Sequence, residues 1–249
     1  MADIALWSLI ACAAALLAGG WIKGMIGVGL PMVAIPLMAA FIPLRDAIAI
    51  MYFPVLVTNL YQAIQGGYFV SALKRFWPMM ILIVAGTWFG AKTLVVIDTI
   101  WLEGIVGATV AGFSLINLLN PTFRIAARHE LWLSLVIGIV GGFFGGLTLF
   151  VGPALIMFLV SLHVAKEEFI GTVGLVYLLA LIPTGVFYLI DGTLRQEHLL
   201  PTLAATVPVI LGMVIGTLIR GHINETLFRK ILLITLVVIG LNMVRSAMF

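Results

Sequence analysis

The chain has 249 residues, of which 63% are hydrophobic and 9% are charged, and its mean hydropathy is +1.25. These values exclude a soluble globular domain of this length and indicate an all-α, polytopic membrane protein in contact with the lipid bilayer. The net charge of +3 is scattered without a basic cluster, which argues against nucleic acid as a partner.

The N-terminal region predicts a first span that is retained in the mature protein. The start, Met1-Ala2-Asp3, has no basic segment, and the apolar run behind it lacks a clean small-residue cleavage site. Cys12 is the only cysteine, which excludes an intramolecular disulfide and a cysteine-based metal site.

A glycine-rich stretch, residues 19–31, interrupts the first apolar run, which extends from about residue 4 to residue 44. This run is much longer than the roughly 20 residues that cross a bilayer, so it predicts more than one element. Glycine weakens helices and proline cannot donate within one, so we expect the helix to break between Gly24 and Pro31. Helix ends at such a break carry partial charges, and Lys23 adds a full positive charge. The stretch therefore predicts an anion site.

Two structural explanations compete with this binding role. Gly20 and Gly24 have the spacing that is common wherever membrane helices pack closely. If Lys23 lies within a turn of the membrane surface, its side chain can snorkel and have no function. A charge near the bilayer centre, by contrast, costs about 3 kcal/mol and calls for a functional explanation.

Further spans follow in chain order. Arg45-Asp46 marks a polar boundary, and spans are predicted at 47–67, with a kink at Pro54, at 76–96 and at 104–119. A loop is predicted at Lys74-Arg75, between the first two of these spans.

The second half of the chain repeats the plan of the first. Residues 132–162 are again apolar and interrupted by glycines. The spacing of Gly20, Gly24 and Gly27 recurs at Gly138, Gly142 and Gly145, and Gly86 and Gly90 match Gly212 and Gly216. We therefore predict a first transmembrane repeat at 1–121, a linker at 122–130 and a second repeat at 131–249.

The distribution of Lys and Arg predicts the topology, since cytoplasmic loops are enriched in these residues. Five crossings per half place eight basic residues on one side: Lys74, Arg75, Arg124, Arg128, Lys166, Arg220, Arg229 and Lys230. The other side then has only four basic residues. With four crossings per half, the same twelve residues would be divided six and six, and the bias would disappear. We therefore expect eight to ten transmembrane helices in two inverted repeats with glycine-broken helices, and both termini outside the cytoplasm. Residues 151–162 are short enough to be re-entrant.

The polar residues inside the apolar runs favour anion binding. All ten carboxylates and all four histidines fall in or beside predicted loops, so we expect no metal site, no cofactor and no enzymatic activity. The motif for nucleotide-driven transport, Gly-x4-Gly-Lys-Ser/Thr, is absent. Interhelical hydrogen bonding is the competing explanation for the uncharged polar residues. The predicted binding residues are Lys23, Gly24, Gly27, Gly29, Asn59, Gln62, Gly145, Gly146, Thr148 and Thr172.

The stretch from Ala18 to Gly29, followed by Val33-Ala34-Ile35-Pro36-Leu37, resembles the signature of the TauE/SafE family, also called the toluene sulfonate uptake permeases. The segments 141–155 and 169–172 resemble the family's second signature. The resemblance implies a bacterial inner-membrane permease for small anions: sulfite, sulfonates such as sulfoacetate, and related organic acids. Ile170 stands where many relatives have an arginine, which leaves Lys23 as the evident counter-charge.

Taken together, the sequence predicts a secondary transporter that moves a small anionic substrate by alternating access. An anion channel is the main alternative. An intramembrane enzyme would need a catalytic pair inside the membrane, and a non-transporting assembly factor would need a polar domain or tail; the sequence shows neither. The transport direction, the coupling ion and the oligomeric state stay open. A homo-oligomer is compatible with the sequence.

Overall fold

Helices connected by short turns account for the fold. The computed structural model describes residues 6–65, 67–119, 127–151, 155–156, 158–159, 162, 164–219 and 225–248, and none of these residues lies in a strand. The helices with complete bounds are α1 Leu6–Ile26, α2 Leu30–Ala39, α3 Leu44–Ile64, α4 Phe69–Val96, α5 Thr99–Leu119, α6 Ala127–Thr148, α7 Lys166–Ile190, α8 Gln196–Ile219 and α9 Glu225–Met248.

Seven of these helices, α1 and α3 to α8, are long and apolar enough to cross a membrane. This confirms the predicted all-α, multi-pass membrane protein. Helix α2 has ten residues and is about 15 Å long, half of the roughly 30 Å hydrocarbon core. It is too short to span the core alone, so five full crossings per half stay a prediction. Half of the residues of the short segment 151–162, for which a re-entrant path was left open, lie outside the described residues, although 155–156 and 158–159 are helical.

The structure corrects one predicted boundary. Lys74 and Arg75 were expected in a loop, but α4 begins at Phe69 and includes both. Because α4 has 28 residues, about 42 Å of helix, it exceeds the hydrocarbon core and its first turns can carry charge outside the core. Helix α6 begins at Ala127, inside the segment predicted as a linker.

The described chain forms two compact units. Unit 1 comprises 1–48, 97–121 and 204–249, and unit 2 comprises 49–96 and 122–203. Each unit draws on both halves of the sequence. The division into compact units follows from contacts in space and not from similarity between segments of the sequence. The repeat boundaries at 1–121 and 131–249 therefore stay a prediction.

In unit 1, helices α1 and α8 pack with their backbones in contact along a row of glycines, which we call a glycine seam. A Cβ on Gly20 would overlap the carbonyl oxygen of Val209, and a Cβ on Gly24 would overlap that of Met213. Helix α8 contributes a glycine to the same seam: a Cβ on Gly216 would overlap the carbonyl oxygen of Trp21 in α1. Glycine is required here because only hydrogen-sized side chains let two helices approach so closely.

Unit 2 contains a matching seam between α6 and α4. A Cβ on Gly142 would lie 2.6 Å from the carbonyl oxygen of Ile83, and a Cβ on Gly146 would overlap that of Thr87. Gly90 of α4 faces α6 in the same way that Gly216 faces α1. The contacts of the two seams therefore follow one pattern.

The two seams are related by constant sequence offsets. The offset from α1 to α6 is 122 residues, as the pairs Gly20 to Gly142 and Gly24 to Gly146 show. The same offset relates Gly27, at the end of α1, to Leu149, at the end of α6, and both residues have positive φ. The packing thus pairs Gly20 with Gly142. The sequence comparison paired Gly20 with Gly138, which lies one helical turn earlier. The agreement supports a duplication, and the inverted orientation of the repeats stays a prediction.

A polar contact within unit 2 supports the predicted irregularity at Pro54. Proline has no N–H, so the carbonyl of Ile50 loses its usual partner within α3. Thr202 of α8 donates its hydroxyl to that carbonyl at 2.7 Å and accepts from the N–H of Phe53 at 3.2 Å. One buried threonine therefore satisfies the backbone groups exposed by the proline.

Candidate functional site

The break between α1 and α2 lies where the sequence predicted it. Helix α1 ends at Ile26 and α2 begins at Leu30. Gly27 and Gly29, on either side of the intervening residue, have φ of 91° and 100°, a left-handed conformation that glycine adopts without steric cost. The N–H of Gly27 donates to the carbonyl of Lys23 at 2.7 Å and closes the last turn of α1.

Lys23 lies in this last turn and is 3% exposed. Among the described residues, no other Lys, Arg, Asp or Glu side chain is buried. The carbonyl end of α1 carries a partial negative charge that favours a cation at this position. The structure therefore places the amino group of Lys23 inside the protein, beside the predicted break.

The backbone donors at the break differ from those that the sequence suggested. The N–H of Gly27 is already hydrogen-bonded, and Gly24 lies inside α1, where N–H groups bond to carbonyls one turn earlier. The first turn of α2 offers other donors, since the first N–H groups of a helix have no partner within it. These are the amides of Gly29, Leu30 and Met32, and Pro31 between them has none.

In unit 2, local hydrogen bonds close the end of α6. The hydroxyl of Thr148 donates to the carbonyl of Phe144 at 2.8 Å and accepts from the N–H of Phe150 at 3.3 Å. Gly145 and Gly146 lie within α6, so their N–H groups belong to the helical ladder. Thr148, predicted as a ligand donor, has its single hydroxyl proton in use for this helix end. The glycine and proline that follow, at 152–153, lie outside the described residues.

The other predicted polar residues lie on α3 and α7 of unit 2. Asn59 and Gln62 are buried on α3, and the side-chain amide of Asn59 donates to the carbonyl of Val55 at 2.7 Å. Helix α7 meets this part of α3 at Gly174, where a Cβ would lie 2.8 Å from the Cβ of Gln62. Thr172 lies two residues before this contact, and its buried hydroxyl has no hydrogen-bond partner among the described residues.

Two hydroxyl groups near the breaks were missed by the sequence analysis. Tyr188 of α7 donates to the carbonyl of Gly146 at 2.8 Å, and the hydroxyl of Thr217 of α8 lies 3.4 Å from that of Gly24, farther than the 2.8 Å to the carbonyl of Met213 in its own helix. Both carbonyls are in the last turn of their helix, where intrahelical donors run out. The bonded residues are far apart in sequence, so no local pattern could have revealed them.

The predicted site residues are distributed over both units. Unit 1 contains Lys23, Gly24, Gly27 and Gly29, and unit 2 contains Asn59, Gln62, Gly145, Gly146, Thr148 and Thr172. Within unit 1, four of the predicted residues meet at a single helix break.

A model of the family described as sulfite exporter TauE/SafE matches residues 11–243. The chain belongs to this family. Membership makes it a membrane transporter of the sulfite or sulfonate exporter type, which is not an enzyme class. Comparisons with curated proteins and with solved structures found no match.

For a TauE/SafE transporter, the break in unit 1 has the chemistry of an anion site. It combines the buried side chain of Lys23 with the first-turn amides of a second helix, and both are hydrogen-bond donors. Among the described residues, no three His, Cys, Asp or Glu side chains are grouped as metal ligands would be.

Proposed function

We propose that this TauE/SafE protein is a secondary transporter that carries small anions across the bacterial inner membrane by alternating access. The substrate classes are sulfite, organosulfonates such as sulfoacetate, and related organic acids. The observation that carries the proposal is the buried side chain of Lys23 at the end of α1.

The physical basis is charge compensation. Opposite charges attract more strongly inside a protein than in water, so an anion entering the break is stabilised by a protonated Lys23. The first-turn amides of α2 supply further hydrogen bonds to the anion's oxygens, and such charge-assisted bonds are stronger than neutral ones. Gly27 and Gly29 contribute by shaping the break that brings these donors together.

Alternating access between two inverted repeats follows from the same proposal. The matching glycine seams and the matching helix ends support two related halves. Transporters built in this way hold their substrate at broken helices and move one part of the fold against another. Asn59, Gln62 and Thr172 are retained as candidate contacts along the path of the anion.

Uptake into proteoliposomes separates this function from the channel alternative. A transporter gives uptake that saturates with anion concentration and is accelerated by unlabelled anion inside the vesicle. A channel gives neither saturation at low concentration nor counterflow. Lys23→Met should abolish the uptake, whereas Lys92→Met, at an exposed lysine of α4, should leave it unchanged. Equal uptake by both variants would contradict the proposed role of Lys23.

A further inference from the structure

We infer, on the basis of the proposed function, that Tyr188 is a positioning residue for anion transport: its hydroxyl group holds the end of α6 in the conformation that the anion meets. Tyr188 lies on α7 with its side chain fully buried, and the hydroxyl donates to the carbonyl of Gly146 at 2.8 Å. Both helices belong to unit 2. The proposed function gives no role to Tyr188.

Helix α6 ends in a strained conformation. Leu149, the first residue after the helix, is buried and has φ of 57°, and among the described residues no other non-glycine residue has a positive φ. The 122-residue offset between the seams takes Leu149 to Gly27, which adopts the same conformation without steric cost. A left-handed leucine brings its Cβ close to the following carbonyl oxygen, which costs free energy. Such a residue persists only where its surroundings hold it in place.

Side-chain hydrogen bonds from Thr148 and Tyr188 hold this end of the helix. The bonds of Thr148, to Phe144 and Phe150, are local. The bond of Tyr188 reaches Gly146 from another helix, 42 positions further along the chain. Gly146 lies in the last turn of α6, where donors within the helix run out. Tyr188 therefore ties the end of α6 to α7.

The part of α7 that carries Tyr188 is itself held by α4. The ring of Phe187 meets that of Trp88 edge-on, with 5.3 Å between the ring centroids. Helix α4 also packs against α6 along the glycine seam, with the two backbones in contact. The hydroxyl of Tyr188 therefore opposes any movement of the end of α6 away from α7.

The strain and the hydrogen bond together give Tyr188 a role in transport. Without the hydroxyl, the buried carbonyl of Gly146 loses this donor, and the strain at Leu149 is no longer opposed. The helix end can then leave the observed conformation. Transporters with broken helices hold their substrate at the helix ends, and a binding-competent conformation that is only partly populated lowers the apparent affinity in proportion. Loss of the hydroxyl should therefore weaken the apparent affinity for the anion.

The test compares two tyrosines by uptake into proteoliposomes. Tyr188→Phe and Tyr52→Phe each remove one hydroxyl group that donates to a backbone carbonyl. Both keep the aromatic ring, and with it the contact between the two rings, whose centroids are 6.3 Å apart. The hydroxyl of Tyr52 donates at 3.0 Å to the carbonyl of Leu181, which lies inside α7 and not at the end of α6. A general loss of packing should affect both variants, whereas a loss of positioning should affect Tyr188→Phe alone.

Uptake of sulfite, sulfoacetate and acetate by the wild-type protein first identifies the anion that is used for the variants. We expect its apparent KM to rise at least about fivefold in Tyr188→Phe and to change less than about twofold in Tyr52→Phe. The maximal rate should change little, because saturating anion restores the binding-competent conformation. An unchanged KM in folded Tyr188→Phe, or an equal rise in both variants, overturns the inference and leaves anion transport intact. If the wild-type protein takes up none of the three anions, the proposed function is refuted and the inference falls with it.

Hydrogen exchange in the wild-type protein provides the test if Tyr188→Phe does not fold. The transported anion should slow the exchange of the backbone N–H groups of residues 149–151, since it favours the conformation in which this helix end is held. Residues 127–130, at the start of α6, serve as the reference. Exchange at 149–151 that stays unchanged at saturating anion overturns the inference.

Discussion

The glycine seam of unit 1 leads to a quantitative stability prediction. A Cβ on Gly20 would overlap the carbonyl oxygen of Val209, so Gly20→Ala forces the backbones of α1 and α8 apart. Alanine is favoured over glycine inside a helix by about 1 kcal/mol, whereas overpacking costs about 1–3 kcal/mol. The obstacle is backbone, which cannot rotate away, so the overpacking cost lies in the upper part of its range. We expect a net loss of about 1–2 kcal/mol.

A matched glycine in α5 provides the control. A Cβ on Gly112 meets nothing within 4 Å, so Gly112→Ala should stabilise the protein by up to about 1 kcal/mol. Gly142→Ala, at the equivalent seam of unit 2, should destabilise as Gly20→Ala does. The assay is the apparent melting temperature in detergent, which changes by roughly 2–4 °C per kcal/mol for a chain of this size. If Gly20→Ala melts at or above the wild-type temperature, the close packing of the seam is refuted.

Three further substitutions test other parts of the structure by the same melting assay. Thr202→Val leaves the carbonyl of Ile50 buried without its donor and should cost about 1–3 kcal/mol; an unchanged melting temperature would contradict the contact. Gly29→Ala forces a side chain into the left-handed region and should cost about 1–2 kcal/mol, so a more stable variant would argue against the observed break. Arg75→Gln removes an exposed ion pair with Glu130 and should cost under about 1 kcal/mol, with a smaller effect in high salt; a large loss insensitive to salt would contradict this account.

The sequence predicted the first helix break because its causes are local. Gly27 and Gly29 adopt the left-handed conformation, and Pro31 has no N–H to donate, so three neighbouring residues determine where α1 ends and α2 begins. The all-α membrane class followed from composition for a similar reason. Neither prediction required knowledge of which helices are neighbours.

The alignment of the repeats depends on tertiary contacts. Gly138, Gly142 and Gly146 follow one another at intervals of four residues, so a sequence comparison that slips by one helical turn still pairs glycine with glycine. The carbonyl oxygens of Ile83 and Thr87 in α4 resolve the ambiguity. These partners lie more than 50 positions away in the chain, beyond the reach of any local pattern.

The polar residues show the same limit. Thr148 was a reasonable candidate donor because a glycine break exposes helix ends, yet its hydroxyl closes the end of its own helix. Tyr188 satisfies a carbonyl of α6 from a helix that follows much later in the chain. A sequence reveals which side chains can donate hydrogen bonds, but the fold decides which of them remain available to a ligand.

Lys23 is the centre of the account, and calorimetric titration of the best-bound anion tests its role most directly. The titration compares the purified wild-type protein with Lys23→Met, with Lys92→Met as the control. Hydrogen bonds to a charged group contribute about 1.5–3 kcal/mol, so the dissociation constant should rise by about 10- to 150-fold in Lys23→Met and stay unchanged in Lys92→Met. An unchanged dissociation constant in a folded Lys23→Met protein would show that the anion binds elsewhere and would contradict the central claim.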